Sequence, residues 1–264
     1  MKNRFQGKKV LITGGTKGLG FATAQLFAQE GAELFLTYRS DTVAAEKATM
    51  TIKELGARCN LFRCDLSEES GIADLFDPLS KATSHLDFYI HNAAATAFKP
   101  LLEIEPHHID KTFNITVKSF ILGVKRAAPM MAPGSAIVSV SGMDTTRAVP
   151  KHGLLGAAKS ALETLTAYFA HELGPKGIRT NSINPGFFES ESTRKYLGPA
   201  FDFFQNHSKG ISPLQRSGSV EEIAKVILFL CSNDASWIVG QTLFVDGGFD
   251  FALPMPAMSP PRSL

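Results

Sequence analysis

The chain is 264 residues long, carries 27 basic and 25 acidic side chains, and is 44% apolar. This even charge balance argues against a nucleic-acid-binding protein, and no stretch reaches the roughly 18 uncharged apolar residues that span a bilayer. We expect a cytoplasmic location, because no signal-peptide-like apolar run precedes the first strand-like segment. The three cysteines form neither an even disulfide framework nor a metal-ligand spacing, so we also expect a reducing compartment and no bound metal.

Short apolar runs alternate with longer amphipathic segments along most of the chain. The apolar runs predict seven strands, at 9–13, 33–38, 58–63, 87–91, 135–140, 178–183 and 242–245. The segments between them predict six helices, at 19–29, 43–55, 71–83, 107–131, 156–173 and 220–231. Strands that alternate with helices in this way predict an α/β protein, a single Rossmann-type domain whose doubly wound parallel sheet has helices on both faces.

Two segments interrupt this alternation. Residues 187–219 form a long insert rich in Phe, Ser and Gly, which we expect to be a loop. Residues 251–264 form a tail with four prolines, which excludes a helix or a central strand there. The predicted organisation is therefore one cofactor-binding and catalytic domain over 1–250, followed by a proline-rich tail.

A glycine-rich turn follows the first predicted strand and opens the first predicted helix. Glycines allow a tight turn and a close approach of the backbone to a pyrophosphate, which then meets the N-terminus of the helix. The sequence here is TGGTKGLG. The residues that we expect to bind the cofactor in this turn are Gly14, Thr16, Lys17, Gly18, Leu19 and Gly20.

The end of the second predicted strand indicates which dinucleotide is bound. It reads Tyr38-Arg39-Ser40 and has no carboxylate that could hold a ribose 2′-hydroxyl. Arg39, with Ser40 beside it and help from Lys17, is placed to meet a 2′-phosphate instead. We therefore expect NADP(H) rather than NAD(H), the alternative being that both cations are solvated surface residues.

The spacing Thr-Gly-x-x-x-Gly-x-Gly resembles the short-chain dehydrogenase/reductase family, and further motifs follow in the family's order through residues 7–250. The resemblance implies a catalytic lysine at Lys159 that also holds the nicotinamide ribose, and an active-site Asn114. It implies a homodimer or homotetramer that pairs through 107–131 and 156–173. The further cofactor contacts that it implies are Asp65, Leu66, Asn92, Ala93, Pro185 and Gly186.

The proton donor of the family is the point at which this sequence departs from the pattern. Members usually carry Tyr-x-x-x-Lys, but Leu155 stands four residues before Lys159, and Gly142 stands where a serine is usual. The chain is more similar to the divergent enoyl-thioester (enoyl-acyl-carrier-protein) reductases, which use Tyr-x6-Lys. In that register the donor position holds His152, and the second tyrosine of that branch is also missing.

The resemblance to this branch implies reduction of a C=C bond conjugated to a thioester or carbonyl. Such a reaction needs a hydrogen-bond donor near the carbonyl oxygen, and an imidazole such as that of His152 can donate near neutral pH. Ser141 is a further catalytic candidate, and Asp144 is expected to contact the substrate or to orient His152. Two alternatives stay open: a ketone reductase in which one of these three residues replaces the tyrosine, and an NADPH-binding relative without hydride transfer.

In this family the segment after the sixth strand covers the substrate. The expected substrate contacts in the insert are Phe187, Phe188, Tyr196 and Phe203. Their aromatic character predicts an apolar acyl or cyclic small molecule, with a carrier-bound thioester among the candidates. The alternative is that these side chains form a subunit contact or ordinary core.

Overall fold

The computed structural model describes residues 3–68 and 70–252 of the chain. Seven strands form one parallel sheet: β1 (Lys9–Ile12), β2 (Glu33–Tyr38), β3 (Cys59–Arg63), β4 (Leu86–His91), β5 (Met131–Val140), β6 (Arg179–Pro185) and β7 (Thr242–Val245). Their order is β3-β2-β1-β4-β5-β6-β7. The order reverses between β1 and β4, and ligands of such sheets bind in the crevice at that point, beyond the carboxyl ends of the strands. The predicted doubly wound fold is confirmed.

Nine α-helices belong to the described ranges. They are α1 (Gly18–Gln29), α2 (Thr42–Glu54), α3 (Gly71–Ala82), α4 (Pro106–Phe113), α5 (Ser119–Ala127), α6 (Gly153–Leu173), α7 (Glu191–Leu197), α8 (Phe201–Ile211) and α9 (Val220–Cys231). Five of them, α1, α2, α3, α6 and α9, stand where single helices were predicted. Among residues 3–68 and 70–252, no helix has the length and apolar character that crossing a membrane requires.

The prediction of one continuous helix over 107–131 is wrong. A π-helical turn at Asn114–Lys118 separates α4 from α5, and α5 ends at Ala127. A short 3-10 turn at Ala128–Met130 follows and contains Pro129, which lacks the N–H that a helix interior requires. Strand β5 then starts at Met131, four residues earlier than predicted.

The prediction of a loop over 187–219 is also wrong, because the insert contains α7 and α8. The Ser190 side chain caps α7 by accepting a hydrogen bond from the Thr193 backbone N–H. A hydroxyl at this position satisfies one of the free amides of a helix start. Of the proline-rich tail, Phe251 and Ala252 are described, and the rest of this predicted segment, 253–264, lies outside the described residues.

The sheet has an apolar core on each face. Along β1, Val10 and Ile12 pack into one cluster while Leu11 packs into the other. Helices α1 and α9 pack against each other on the first side, and α3, α5 and α6 contribute side chains to the second. Strands that are buried on both faces read as continuous apolar runs, which is why the sequence predicted them. This packing fixes the carboxyl ends of the strands, where the predicted site residues lie.

Candidate active site

The glycine-rich turn is shaped by close backbone contact. Gly14 and Gly18 have φ values of +64° and +50°, which favour glycine. A Cβ added to Gly20 would lie 2.3 Å from the Gly14 carbonyl oxygen, so α1 can approach the turn only with glycine there. A Cβ at Gly18 would instead meet nothing within 4 Å. The turn is thus closed toward the sheet and open in front of the start of α1, as a pyrophosphate requires.

Asn92 and Ala93 hold the turn against the end of β4. The Asn92 Nδ2 amide donates to the carbonyl oxygens of Thr13, at 3.0 Å, and Gly14, at 3.2 Å. The backbone N–H groups of Asn92 and Ala93 donate to Thr13 Oγ1 at 3.0 and 3.1 Å. Thr16 and Leu19 are buried beside them. The predicted residues of this turn therefore form one connected unit.

A cavity of about 460 Å³ lies beyond the ends of β2 and β3, where the adenosine half of a dinucleotide would lie. It brings together three predicted residues, Arg39, Ser40 and Asp65. It also contains Arg63, which we did not predict, and whose Nε donates to the Arg39 carbonyl oxygen at 3.3 Å. Arg63 is the last residue of β3, and the alternation of side chains along the strand directs it to this edge. Its place at the end of the strand was the sequence signal that the prediction missed.

Charged side chains at the starts of α1 and α2, and inside this cavity, have local partners. Lys17 forms an ion pair with Asp41, and the Lys17 ammonium lowers the pKa of the Asp41 carboxyl. The Asp65 carboxylate accepts hydrogen bonds from the Ser67 backbone N–H at 2.9 Å and hydroxyl at 2.6 Å. Next to it, Leu66 is buried. Arg39 and Arg63 give this cavity two guanidinium groups, which fit a phosphate-bearing nucleotide, and the carboxylates of Asp65 and Asp74 also line it.

At the end of β6, Pro185 and Gly186 form the opposite wall of the cofactor crevice. Pro185 pairs with Val245 of β7. A Cβ added to Gly186 would lie 2.4 Å from the Asp246 Cβ, so the backbone passes close to the Val245-Asp246 turn. This contact fixes the start of the insert relative to the sheet.

Lys159 lies on α6 with only 5% of its surface exposed. Its Nζ donates to the Val140 carbonyl oxygen, at 2.5 Å, at the end of β5. Burial lowers the pKa of Lys159 to about 8, although the nearby Asp144 and Glu163 carboxylates partly offset this effect. The ammonium is therefore held at the carboxyl edge of the sheet.

His152 is the N-cap residue of α6, seven residues before Lys159. Seven residues are about two helical turns, so the two side chains leave the same face of the helix. The imidazole Nδ1 lies 3.3 Å from Asp144 Oδ2. Its Nε2 is buried and has no hydrogen-bond partner among the described residues. The Phe98 and Tyr196 rings pack against it, with centroid distances of 4.9 and 4.5 Å.

Comparison with known proteins identifies the family of this chain. Residues 14–250 match the family model described as enoyl-(acyl carrier protein) reductase. The chain is an oxidoreductase of the short-chain dehydrogenase/reductase family. It is 34% identical over 253 residues to the 1-cyclohexenylcarbonyl-CoA reductase of Streptomyces collinus, a match that covers 92% of this chain and 87% of the relative.

Two further relatives differ in the cofactor that their names give. The chain is 29% identical to the NADH-dependent enoyl-[acyl-carrier-protein] reductase FabI of Escherichia coli, over 93% of this chain and 95% of the relative. It is also similar to the crystal structure of a short-chain dehydrogenase from Burkholderia cenocepacia J2315 in complex with NADP. That match has a TM-score of 0.87 and 29% identity, and it covers 94% of this chain and all of the other.

The space at the family's usual serine position is occupied by the side chain of a nearby residue, Asp144. Gly142 stands at that position, and a Cβ added there would lie 2.7 Å from Asp144 Oδ1. One oxygen of Asp144 thus occupies the space of the missing side chain while the other faces His152. The Asp144 side chain is only 6% exposed. Asp144 and His152 therefore lie together beside the usual serine position, whereas Leu155 stands at the usual tyrosine position.

A partly buried carboxylate, that of Glu163, organises the polar residues around Lys159. Its Oε1 accepts hydrogen bonds from Ser141 Oγ at 2.5 Å, Thr145 Oγ1 at 3.1 Å and Asn184 Nδ2 at 3.0 Å. We did not predict Glu163, although its spacing of four residues from Lys159 places both on one helix face. The Ser141 hydroxyl donates to this carboxylate, and its catalytic role stays a prediction.

Asn114 lies at the start of the π-helical turn between α4 and α5. Its Nδ2 amide donates to the Ser67 carbonyl oxygen at 3.1 Å. Within the same turn, the Thr116 carbonyl oxygen lies 3.2 Å from His91 Nε2. Burial, reinforced by the charge of Lys159, lowers the pKa of His91 to about 3, so His91 is neutral here. These contacts fix Asn114 at the inner end of the crevice.

The insert places its aromatic residues in different surroundings. Tyr196 packs against His152, and its hydroxyl donates to the Pro150 carbonyl oxygen at 2.7 Å. Phe187 packs on Phe201, and Phe188 packs against the core cluster beside β1. Phe203 is 71% exposed. Of the four predicted substrate contacts, Tyr196 therefore lies next to the candidate donor, and the roles of the others stay predictions.

Within the described residues, one cluster has the donor atoms of a metal site: Glu105, His107 and His108. It lies at the exposed start of α4, where it forms a capping box. The Glu105 backbone N–H donates to His108 Nδ1 at 3.1 Å, and the Glu105 carboxylate accepts from the His108 backbone N–H. These contacts give the cluster a structural role as a helix cap.

Proposed function

We propose that this protein uses NADPH to reduce a C=C bond conjugated to a thioester or carbonyl in an apolar small molecule. The observation that carries this proposal is the contact between Asp144 and His152, the N-cap residue of α6, which stands seven residues before Lys159. His152 takes the position of the donor in the Tyr-x6-Lys register. The proposal agrees with the names of the two enoyl reductase relatives.

The preference for NADPH rests on the cavity beyond β2 and β3. Two arginines, Arg39 and Arg63, face this cavity. A guanidinium binds a phosphate group through paired hydrogen bonds, whereas a ribose 2′-hydroxyl needs an acceptor at the end of β2. That place is held by Tyr38. NADP is also the cofactor bound in the Burkholderia structure.

His152 is the proposed hydrogen-bond donor to the substrate. NADPH, when bound, supplies the hydride that adds to the β-carbon of the double bond, so that the electron pair of that bond moves toward the carbonyl oxygen. In the imidazolium form, His152 Nδ1–H donates to Asp144 Oδ2 and Nε2 also carries a hydrogen. This second N–H, which has no partner among the described residues, is the one that donates to the oxygen on which negative charge develops. A proton from the imidazolium or from water completes the product at the α-carbon.

The surroundings of His152 support an apolar substrate. Phe98 and Tyr196 cover the imidazole, and the exposed Leu101 lies on the same side. Apolar walls exclude water and strengthen a hydrogen bond to developing charge. Lys159 holds the nicotinamide ribose in this scheme, and its positive charge favours negative charge on a neighbouring oxygen.

The deciding experiment compares substrates of the two reaction types. NADPH oxidation is followed with crotonyl-CoA and 1-cyclohexenylcarbonyl-CoA on one side, and with simple aliphatic and cyclic ketones on the other. We expect turnover of the enoyl thioesters and at least a hundredfold lower kcat/KM for the ketones. Efficient ketone turnover without enoyl reduction would contradict the proposal. Binding of NADPH without hydride transfer to any substrate would indicate the non-redox relative.

We also propose a cytoplasmic homodimer or homotetramer that pairs through α4, α5 and α6. Each of these helices exposes a large apolar side chain: Ile109 on α4, Ile121 on α5 and Tyr168 on α6, the last with 65% of its surface exposed. Burial of such side chains against a second copy stabilises an assembly. Light scattering of the wild type and of Tyr168→Glu measures this directly, and an unchanged mass would contradict pairing through α6.

A further inference from the structure

A small cavity of about 230 Å³ lies beside the candidate donor, outside the cofactor crevice. His152 and Asp144 form part of its lining. The segments that close it come from two places in the chain: the stretch after β4, which contributes Lys99 and Leu101, and the loop before α6, which contributes Arg147 and Lys151. Substrate bound at His152 therefore has this cavity next to it.

Three cations line this cavity and one carboxylate faces them. Asp144 is already paired with His152, and Arg147 uses its Nε in an ion pair with Asp250 at 3.2 Å. Lys99 and Lys151 have no ion pair with any described residue. Cations gathered around a small space repel one another, and an anion between them relieves that repulsion.

The two lysines differ in exposure: Lys99 is half-buried, whereas Lys151 is exposed. Lys151 has a φ of +63°, an uncommon conformation for a residue other than glycine. Leu101 and Val149 add apolar groups to the lining. An anion held here would be less screened than on an open surface.

We propose that this cavity binds a carboxylate carried by the acyl part of the substrate. The inference rests on the proposed function, since it places the reacting double bond beside His152. The other source of an anion is the phosphate of a carrier, which lies at the far end of a long pantetheine arm. The cavity adjoins the donor itself, so a group within the acyl chain reaches it and a carrier phosphate does not.

The test uses two thioesters of N-acetylcysteamine, a carrier that has no phosphate. Crotonyl thioester has a terminal methyl group, and glutaconyl thioester has a carboxylate on the same chain. We expect a KM about tenfold lower for the glutaconyl compound, the factor typical of a hydrogen bond to a charged group. Lys99→Gln and Lys151→Gln should each reduce this difference, while Lys47→Gln, an exposed lysine on α2, leaves it unchanged.

A binding measurement separates this inference from the proposed reaction. Calorimetry on the NADP⁺-loaded protein compares the saturated glutaryl and butyryl thioesters, so it needs no turnover. Preferential glutaryl binding that is lost in Lys99→Gln supports the carboxylate site even if no enoyl thioester is reduced. Reduction of both unsaturated thioesters with equal KM and equal binding of the saturated pair would overturn it. An effect of the variants on crotonyl-CoA alone would also overturn it, in favour of a carrier phosphate.

Discussion

The cofactor turn and the donor loop lie at the same edge of the sheet, but the chain constrains them differently. In the turn, the backbone of α1 approaches Gly14 so closely that a single added carbon at Gly20 would lie 2.3 Å from a carbonyl oxygen. In the loop before α6, Gly156 also lies close to the Asp144 carbonyl oxygen, at 2.5 Å for an added Cβ, but the donor candidates themselves meet through their side chains. His152 and Asp144 meet there through their outer atoms, 3.3 Å apart.

This difference explains why the turn keeps the family pattern and the donor loop does not. Where backbone packs on backbone, almost no substitution of glycine is tolerated, because any side chain would displace the main chain. A proton donor needs only the correct chemistry at a reachable position. Asp144 fills the space above Gly142, and His152 stands one turn before the usual tyrosine position. The donor loop can therefore change its residues while Lys159 stays fixed.

The largest effect is expected at the turn. Gly20→Ala places a Cβ 2.3 Å from the Gly14 oxygen and 2.7 Å from Asn92 Nδ2. The turn must open, and we expect loss of measurable NADPH binding together with a free energy of unfolding lower by about 3 kcal/mol. Fluorescence titration and denaturant unfolding measure both quantities.

The matched control is Gly174→Ala at the end of α6. Gly174 has an ordinary helical φ of −52°, and an added Cβ meets nothing within 4 Å. We expect unchanged cofactor binding and a stability equal to or up to about 1 kcal/mol above that of the wild type. If Gly20→Ala and Gly174→Ala change cofactor binding and stability equally, the turn is no more sensitive to substitution than the end of α6.

The second effect concerns the donor. His152→Phe keeps an aromatic ring between Phe98 and Tyr196 but removes both nitrogens. We expect kcat for an enoyl thioester to fall by a factor of about 10² to 10³, with little change in the KM for NADPH. The free energy of unfolding should fall by about 1–3 kcal/mol, because Asp144 loses its partner. Activity within threefold of the wild type would exclude His152 as the donor.

Asp144→Asn tests whether the carboxylate acts through His152. An amide of the same shape still fits above Gly142 and still accepts a hydrogen bond, but it no longer stabilises a protonated imidazole. A roughly tenfold lower kcat with an unchanged substrate KM would identify Asp144 as a positioning residue. A purely structural residue would instead change stability and leave kcat unaffected.

The parts that sequence predicted follow from local patterns. The sheet was predictable because buried strands such as β2 read as continuous apolar runs, and the turn because its glycines stand between a strand and a helix. The helices of the insert were missed since α7 and α8 are short and lie among Phe, Ser and Gly residues. The π-helical turn at Asn114–Lys118 has no comparable signal. Pro129 did indicate the end of α5, and the prediction ignored it.

Residues that act through tertiary contacts were harder to predict. Glu163 binds Ser141 and Thr145, which follow β5, and Asn184, which lies on β6. Only the fold brings them together, and sequence spacing shows no more than that Glu163 shares a face with Lys159. The contact between Gly142 and Asp144 is equally invisible, since a glycine at a serine position indicates a loss and not its replacement.

The third effect concerns the cofactor's 2′-phosphate. Arg39→Ala should raise the KM for NADPH about ten- to a hundredfold and leave the KM for NADH unchanged, because only the phosphate loses a charged partner. Arg63→Ala should act in the same direction. Arg58→Ala serves as the control, since Arg58 pairs with Glu33 outside the cavity. Equal losses with both cofactors would show that Arg39 supports the fold of the cavity rather than the phosphate.

The smallest effect concerns Lys159 of α6, whose Nζ lies at the end of β5 and which we propose holds the nicotinamide ribose. Because its pKa is lowered to about 8 by burial, the ammonium is charged below that pH and becomes neutral as the pH rises through it. We expect the dissociation constant of NADP⁺ to rise about five- to tenfold between pH 7 and pH 9, as a charged hydrogen-bond donor becomes a neutral one. Lys159→Met should bind more weakly and show no such pH dependence. If the affinity of the wild type for NADP⁺ stays constant over this range, the charge of Lys159 does not contribute to cofactor binding. Lys159 would then hold the ribose through its shape and hydrogen bonds, and its charge would serve only the donor loop.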